Sequence, residues 1–476
     1  MPDNQQHIMT ISYNWLCDYL PISIAPEELS QILTSIGLEV ESMEPYEEIK
    51  GGLSGLVVGE VLTCEKHPEA DKLKLTTVTI GGAEPLKIVC GASNVAAGQK
   101  VIVATIGTTL YPKGGDAFTI KKAKIRGAES EGMICAEDEI GTGTDHSGII
   151  VLPEATAIGT PAAAIYKPHH DIIFEIGLTP NRMDAMSHLG VARDVCAYLS
   201  YHRSTEFSVR NPMPVALSAD SSANDWKVDI LNPEACRRYC GIVLSGVTVS
   251  ESPDWLKQKL RSIGLNPINN VVDITNFILH ETGQPLHAFD ADKISGKHVL
   301  VSLAKEGQQF RTLDDKERKL HGSDLTICDE KGPLCLAGVY GGLHSGVSAN
   351  TKNIFLESAH FDKGFIRKTA LSHELRTDAA TRFEKGVDIS NTAEVLKRAA
   401  LLIKETAGGM ITGDLIDVYP SPQEKVTVSF SFDYLHTLSG KKYEKQAHIY
   451  VCINNTCYEP FSDIAIFDHR FGLLNN

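Results

Sequence analysis

Basic side chains with room to meet a polyanion are gathered in one stretch, where Lys113, Lys121, Lys122, Lys124 and Arg126 precede Ser130 and Gly132. Small residues keep a β surface flat, and cations on such a surface follow a nucleic-acid backbone. Upstream, Asn94 could present its amide to a base or a phosphate. The acidic run from Glu129 to Glu139 opposes that attraction. Two other residues could assist ester chemistry in the right company, His287 in GQPLHAFD and Glu357 in FLESA. Taken alone, the first reads as a structural histidine bonded to backbone and the second as a surface ion-pair partner, the commoner fates of these types. Asp273 in VVDITN and Asp290 in AFDADK read as cap or turn residues, and Arg382 also reads as structural.

Several familiar chemistries leave no trace. No GxxxxGK[ST] phosphate loop occurs, no GxGxxG follows a strand, and HExxH and GxSxG are missing. The eleven cysteines are scattered, and Cys236/Cys240 and Cys452/Cys457 lack the spacing of a zinc site, so no metal ligand is assigned. Such a chain either uses a site outside these motifs or serves a partner that carries the chemistry.

The elements that must position these residues can be read from pattern. At 476 residues, and about 150 per domain, roughly three domains are expected. Hydrophobic residues make up 42 % and charged residues 22 %, the balance of a folding globular chain. Sixty acidic against forty-five basic residues give a charge of -15, so a nucleic-acid site must be a local patch. No run reaches the roughly 18 apolar residues of a membrane span, and MPDNQQHI lacks the features of a signal peptide, which predicts a cytoplasmic protein with no membrane partner. PEELSQILTSIGLEVE reads as an amphipathic helix with Pro26 at its start and Gly37 at its stop. Five strand signals follow, LVVGEVLTCE, KLTTVTIG, LKIVCGA, QKVIVATIGTTL and KKAKIRGAESEGMICA, and predict a five-stranded OB-fold barrel. Helical text returns from Met183 to Leu199, so the barrel is expected as an insertion. WLKQKLRSIGL, VDITNFILHETG and NTAEVLKRAALLIKETAGG are the clearest helices of a larger mixed region, and from about residue 442 the text loses its period. The predicted class is multidomain α+β: residues 1–38 and 152–205 form a small α/β domain around a barrel at 39–151, a mixed domain covers 206–408, and an incomplete unit covers 409–476.

HPEADKLKLTTV, VCGASNV and IRGAESEGMICAEDE, in this order, resemble the tRNA-binding OB domains of aminoacyl-tRNA synthetases. GLTPNRMDAMSHLGVARD, NPINNVVDITNFILHETGQPLHAFDADKI, LAGVYGGLHSGV, IFLESAHFD and LRTDAATRFEKGVD together resemble the bacterial phenylalanine-tRNA ligase β subunits, over roughly residues 9–440. The resemblance implies an α2β2 ligase whose α subunit holds the ATP and phenylalanine site, while β binds tRNA(Phe) and edits. ATP and Mg2+ then serve the holoenzyme and neither is expected on this chain, which has no GxGxGxER string. Residues 206–408 become the editing unit of B3/B4 type, and 409–476 an incomplete, helix-turn-helix-like B5-type unit.

Editing is needed because tyrosine is phenylalanine plus a hydroxyl, which an apolar pocket rejects by only about a hundredfold. A second site that hydrogen-bonds the phenol discriminates better, since phenylalanine leaves its polar groups unpaired. By motif matching, the resemblance implies Glu357 against the tyrosine hydroxyl, accepting a charge-assisted bond. Gly341 would leave room for the ring, and His287 and Asn276 would hold the ester or its attacking water. Thr377 and Ala379 would line the amino-acid pocket. A positioned water, with polar groups near the developing oxyanion, suffices without a covalent nucleophile. In the tRNA domain the residue types themselves make Asn94, Lys113, Lys121, Lys122, Lys124, Arg126 and Ser130 the candidates for the RNA. The family continues well beyond this text with a magnesium-binding acidic motif that Asp463 and Asp468 do not reproduce, so the chain reads as C-terminally truncated, with assembly onto α in doubt. The alternative readings are a tRNA-binding module without catalysis and a non-functional fragment.

Overall fold

The computed structural model describes residues 7–112, 115–214, 216–222 and 225–423, together with Thr437, Cys452–Ile453 and Thr456–Cys457. Two compact units result, one from Pro45 to Asp171 and the other from the chain on either side of it.

In the first unit, five antiparallel strands run in the order Gly132–Ile134, Lys100–Thr105, Leu56–Lys66, Lys74–Thr79, Leu86–Cys90. The sheet curls until its ends nearly meet, where the Glu131 amide donates to the Lys87 carbonyl at 2.7 Å. Alternation drives the closure, because Val61, Val78, Ile88, Val101 and Val103 turn into one core and are buried, while Val58 and Ile102 turn to the other face and enter a second. Gly59 has to be glycine: a Cβ there would stand 2.7 Å from Val78 Cγ1 and 2.8 Å from Val103 Cγ2. The last strand text is not one strand. It folds into a hairpin, Ala123–Ile125 with Ala128–Ser130, followed by Gly132–Ile134, because Arg126 and Gly127 take φ of 49° and 90° and reverse the chain.

The second unit contains a four-stranded antiparallel sheet in the order Leu286–Asp290, Asn353–Phe361, Cys236–Ser245, Met410–Val418. Period two splits its faces. Ile242, Leu244, Ile354 and Leu356 enter one core with the helices Asn270–Thr282 and Thr392–Ala407. Tyr239, Phe289, Phe355 and Phe361 enter another, shared with a five-stranded sheet that runs Lys227–Ile230, His298–Leu303, Leu325–Cys328, Pro333–Leu336, Tyr340–Gly341. The boundary drawn at 408 falls inside this architecture, since Met410–Val418 pairs with Cys236–Ser245 and completes the sheet. Most of the expected unit at 409–476, with its anomalous tail, lies outside the described residues.

Local chemistry explains the helix that feeds the sheet edge. Asn269 caps Asn270–Thr282 by accepting from the Val271 and Val272 amides, and Gly283 ends it at φ 80°. Asp273, 0 % exposed, accepts from the Ser252 hydroxyl and the Ile268 amide. Asp290 accepts from the Asp292 amide and the Thr351 hydroxyl. Among the described residues, no helix is long and apolar enough to cross a membrane.

Candidate functional site

Glu357 lies in the middle of Asn353–Phe361, with His287 directly opposite on one neighbouring strand and Gly241 on the other. Cross-strand partners share a face, so the carboxyl and the imidazole point into the same space. Burial leaves Glu357 4 % exposed and pushes its carboxyl up to about 8. Its Oε2 accepts a 2.9 Å bond from the Tyr239 hydroxyl, which partly offsets that rise. Near pH 7 the group is therefore mostly neutral, and with Oε2 accepting from Tyr239 its proton belongs on Oε1. Burial thus favours a carboxylic acid able to donate over the charge-assisted acceptor expected from the sequence.

His287 is half-buried as a residue, and the burial of its ring pulls the imidazole down to about 4, so it is neutral. The ring stands edge-on to Phe289 with centroids 4.4 Å apart, and Nε2 has no partner among the described residues. A buried ring nitrogen without a partner is poised for an incoming polar atom. Gly341 supplies the opposite wall. A Cβ there would lie 3.4 Å from His287 Cε1 and 2.7 Å from Leu313 Cδ1.

The helix Asp378–Lys385 closes the space by presenting Ala379 and Phe383. Thr377 does not line the pocket. It is the helix N-cap, accepting from the Ala380 amide at 3.1 Å and donating to the Val339 carbonyl at 3.1 Å, and so ties the helix to the turn just before the strand Tyr340–Gly341. Asn276, half-buried on Asn270–Thr282, does not line it either. The structure brings together His287, Gly341, Glu357 and Ala379 around a cavity of about 80 Å³. Small-molecule sites usually offer roughly 300 Å³ or more, so a bound side chain has to push the walls apart. Sequence reasoning missed Tyr239, Cys335 and Phe383. Period two from Gly241 places Tyr239 on the same strand face, but nothing in the sequence shows which strand pairs beside it.

In the barrel, a groove of about 780 Å³ is lined by Lys121, Phe118, Ile125 and Met133 among others. Lys121, Lys124 and Arg126 are exposed, the latter two on the hairpin. Lys122 is exposed but paired with Glu129 at 3.2 Å and Glu131 at 3.0 Å. Lys113 lies outside the described residues. Two expected RNA contacts have structural work instead. Asn94 donates from Nδ2 to the Ile149 carbonyl at 2.9 Å and accepts the Ile149 amide at Oδ1 at 3.0 Å. The buried Ser130 hydroxyl accepts from the Val89 amide and donates to the Gly132 carbonyl, tying the barrel's seam. Phe118, 41 % exposed in the groove, is an aromatic surface that the motif reading passed over. Among the described residues no group of three or more His, Cys, Asp or Glu could hold a metal ion.

Comparison with known proteins gives two domain matches, a B3/4 domain over residues 235–408 and a putative tRNA binding domain over residues 56–161. A phenylalanine-tRNA ligase beta subunit of Bacteroides fragilis is 53 % identical over 433 residues, covering 91 % of this chain and 53 % of that protein. The beta subunit from Porphyromonas gingivalis is 51 % identical over 446 residues, covering 92 % and 53 %. That from Salinibacter ruber is 44 % identical over 442 residues, covering 91 % and 52 %. The chain spans about half the length of the curated relatives it matches.

Proposed function

We propose, from a chain that belongs to the bacterial phenylalanine-tRNA ligase beta-subunit family, that residues 235–408 hydrolyse tyrosine wrongly esterified to tRNA(Phe). The observation that carries this reading is the convergence of His287, Gly341, Glu357 and Ala379 on one small pocket, with a buried acid in its wall. The substrate's phenol would meet Glu357 Oε1, and phenylalanine would leave that buried group unpaired, which is the discrimination required. His287 Nε2 would hold the attacking water or the ester carbonyl, and backbone and side-chain dipoles would stabilise the oxyanion. Glu357 and His287 lining one pocket favours this over a tRNA-binding module without catalysis.

The barrel is read as an OB fold inserted into a small α/β domain, with Lys121, Lys124 and Arg126 meeting tRNA(Phe) along its groove. Ligase activity belongs to an α2β2 assembly in the cytoplasm, with ATP and Mg2+ at the α subunit's site. The test is deacylation of Tyr-tRNA(Phe) and Phe-tRNA(Phe) by this chain alone. Selective cleavage of the tyrosyl ester is expected, and cleavage of neither would overturn the catalytic reading.

A further inference from the structure

A second pocket, of about 420 Å³ and remote in sequence from Glu357, combines an exposed tryptophan with cations. Trp255 on the helix Asp254–Ser262 is 37 % exposed, and its ring meets Phe277 edge-on at 5.4 Å and 86°. Phe277 in turn stacks on the buried Trp15 at 4.7 Å and 7°, so Trp255 is held against a rigid aromatic pile. Lys259 stands 5.9 Å from the Phe277 ring centre and is paired with Asp18. Arg398 is anchored by the fully buried Glu281, whose other partner is the Tyr19 hydroxyl. Arg210 is exposed, donates to the Pro21 carbonyl at 3.2 Å, and has no ion-pair partner among the described residues. Three cations against two carboxylates leave the pocket positive on a chain whose total charge is -15.

We propose that this pocket seats one unpaired nucleotide, its base against Trp255 and its phosphate facing Arg210 and Lys259. Each component has a physical reason. An exposed indole offers a face to any base, and stacking needs no sequence. A positive rim beside it matches the phosphate that each base carries. The anchoring of Arg398 by Glu281, and of Trp255 by Phe277, means that little has to be ordered on binding. A loop or end of RNA supplies such a nucleotide, and so does a free mononucleotide. The proposal rests on the reading that this chain handles tRNA, and it adds a contact surface separate from the barrel groove.

The test is tryptophan fluorescence of the full chain titrated with AMP and, separately, with a single-stranded RNA hexamer. Saturable quenching by either ligand is expected, and it should vanish in Trp255→Phe, since Trp15 is buried and Trp226 lies outside this pocket. Quenching by the hexamer alone assigns the site to an RNA strand, and quenching by AMP at similar concentration assigns it to mononucleotides. Trp255→Ala should weaken hexamer binding about tenfold. Arg210→Glu, an exposed change that leaves the aromatic pile intact, should weaken it as well and flatten its salt dependence. Lys121→Ala/Lys124→Ala, at the barrel groove and on its neighbouring hairpin, should lower tRNA affinity and leave the Trp255 quenching in place. If tRNA binds wild type, Trp255→Ala and Arg210→Glu equally, with no quenching in wild type, this proposal fails while the tRNA reading stands. If no RNA binds at all, both fail.

Discussion

Glu357 keeps its proton at neutral pH because nothing near it compensates the loss of water, the Tyr239 hydroxyl being too weak a donor to restore an ordinary carboxylate. The consequence for stability has a definite sign. In the unfolded chain the group ionises near 4.5, whereas in the fold it ionises near 8. Between these values the folded protein holds a proton that the unfolded chain has released, so this group's contribution to stability falls as pH rises and levels off above about 8. Glu357→Gln removes the ionisation while keeping the shape. Its denaturation midpoint should therefore gain on wild type from pH 5 to pH 9, and parallel midpoints would mean that the carboxyl is not buried as described. Glu357→Ala, which removes the hydrogen-bonding group altogether, should reduce the preference for Tyr-tRNA over Phe-tRNA in deacylation by about 10- to 100-fold, whereas Glu357→Gln, whose amide can still donate, should keep most of it. Tyr239→Phe tests the pair from the other side. Without the hydroxyl the carboxyl should ionise at still higher pH, and the alkaline limb of the tyrosyl deacylation profile should move upward with it.

The walls of the pocket are set by elements, and here the sequence is informative about some pieces and silent about others. The helices could be read because their signals are local: Asn269 and Gly283 bracket Asn270–Thr282, and the apolar period does the rest. What could not be read is pairing. Leu286–Asp290 and Asn353–Phe361 lie far apart in the chain, and only their register puts His287 opposite Glu357. The residues were found through motif resemblance, and their common cavity came from the fold. Tyr239 was passed over for the same reason, because a tyrosine in CRRYCG has no chemistry until a glutamate is set beside it. Thr377 shows the limit of motif matching: expected at the pocket, it caps the helix that carries Ala379 and Phe383 and is absent from the lining. Thr377→Ala should cost about 1 kcal/mol, read as a lower denaturation midpoint, and should loosen Ala379 and Phe383 enough to reduce deacylation. Thr377→Ser, which keeps the oxygen, should restore both. A Ser variant as poor as Ala would show that the methyl's packing matters more than the cap. Gly341→Ala should act on the same wall more directly, since the new methyl meets Leu313 and His287, and tyrosyl deacylation should drop while Trp255 fluorescence is unchanged.

At the scale of the whole molecule, the total charge and the RNA reading pull against each other, and the outcome depends on how few cations are available. Of the basic residues first singled out, Lys122 is engaged by Glu129 and Glu131, leaving Lys121, Lys124 and Arg126 exposed on the described barrel surface. Three such contacts to a single strand correspond to a slope of about -2 in log affinity against log salt. That is shallow, as befits a patch on an acidic protein whose long-range field opposes the approach of RNA. Lys121→Ala/Lys124→Ala should make the slope for tRNA shallower by about 1.4 and weaken binding most at low salt. Because both side chains are exposed, the melting transition should not change. Fluorescence-polarisation titrations of tRNA from low to moderate salt decide the matter. An unchanged slope would place the phosphate contacts elsewhere and leave the barrel groove, with Phe118 on its wall, as a surface for bases rather than for the backbone.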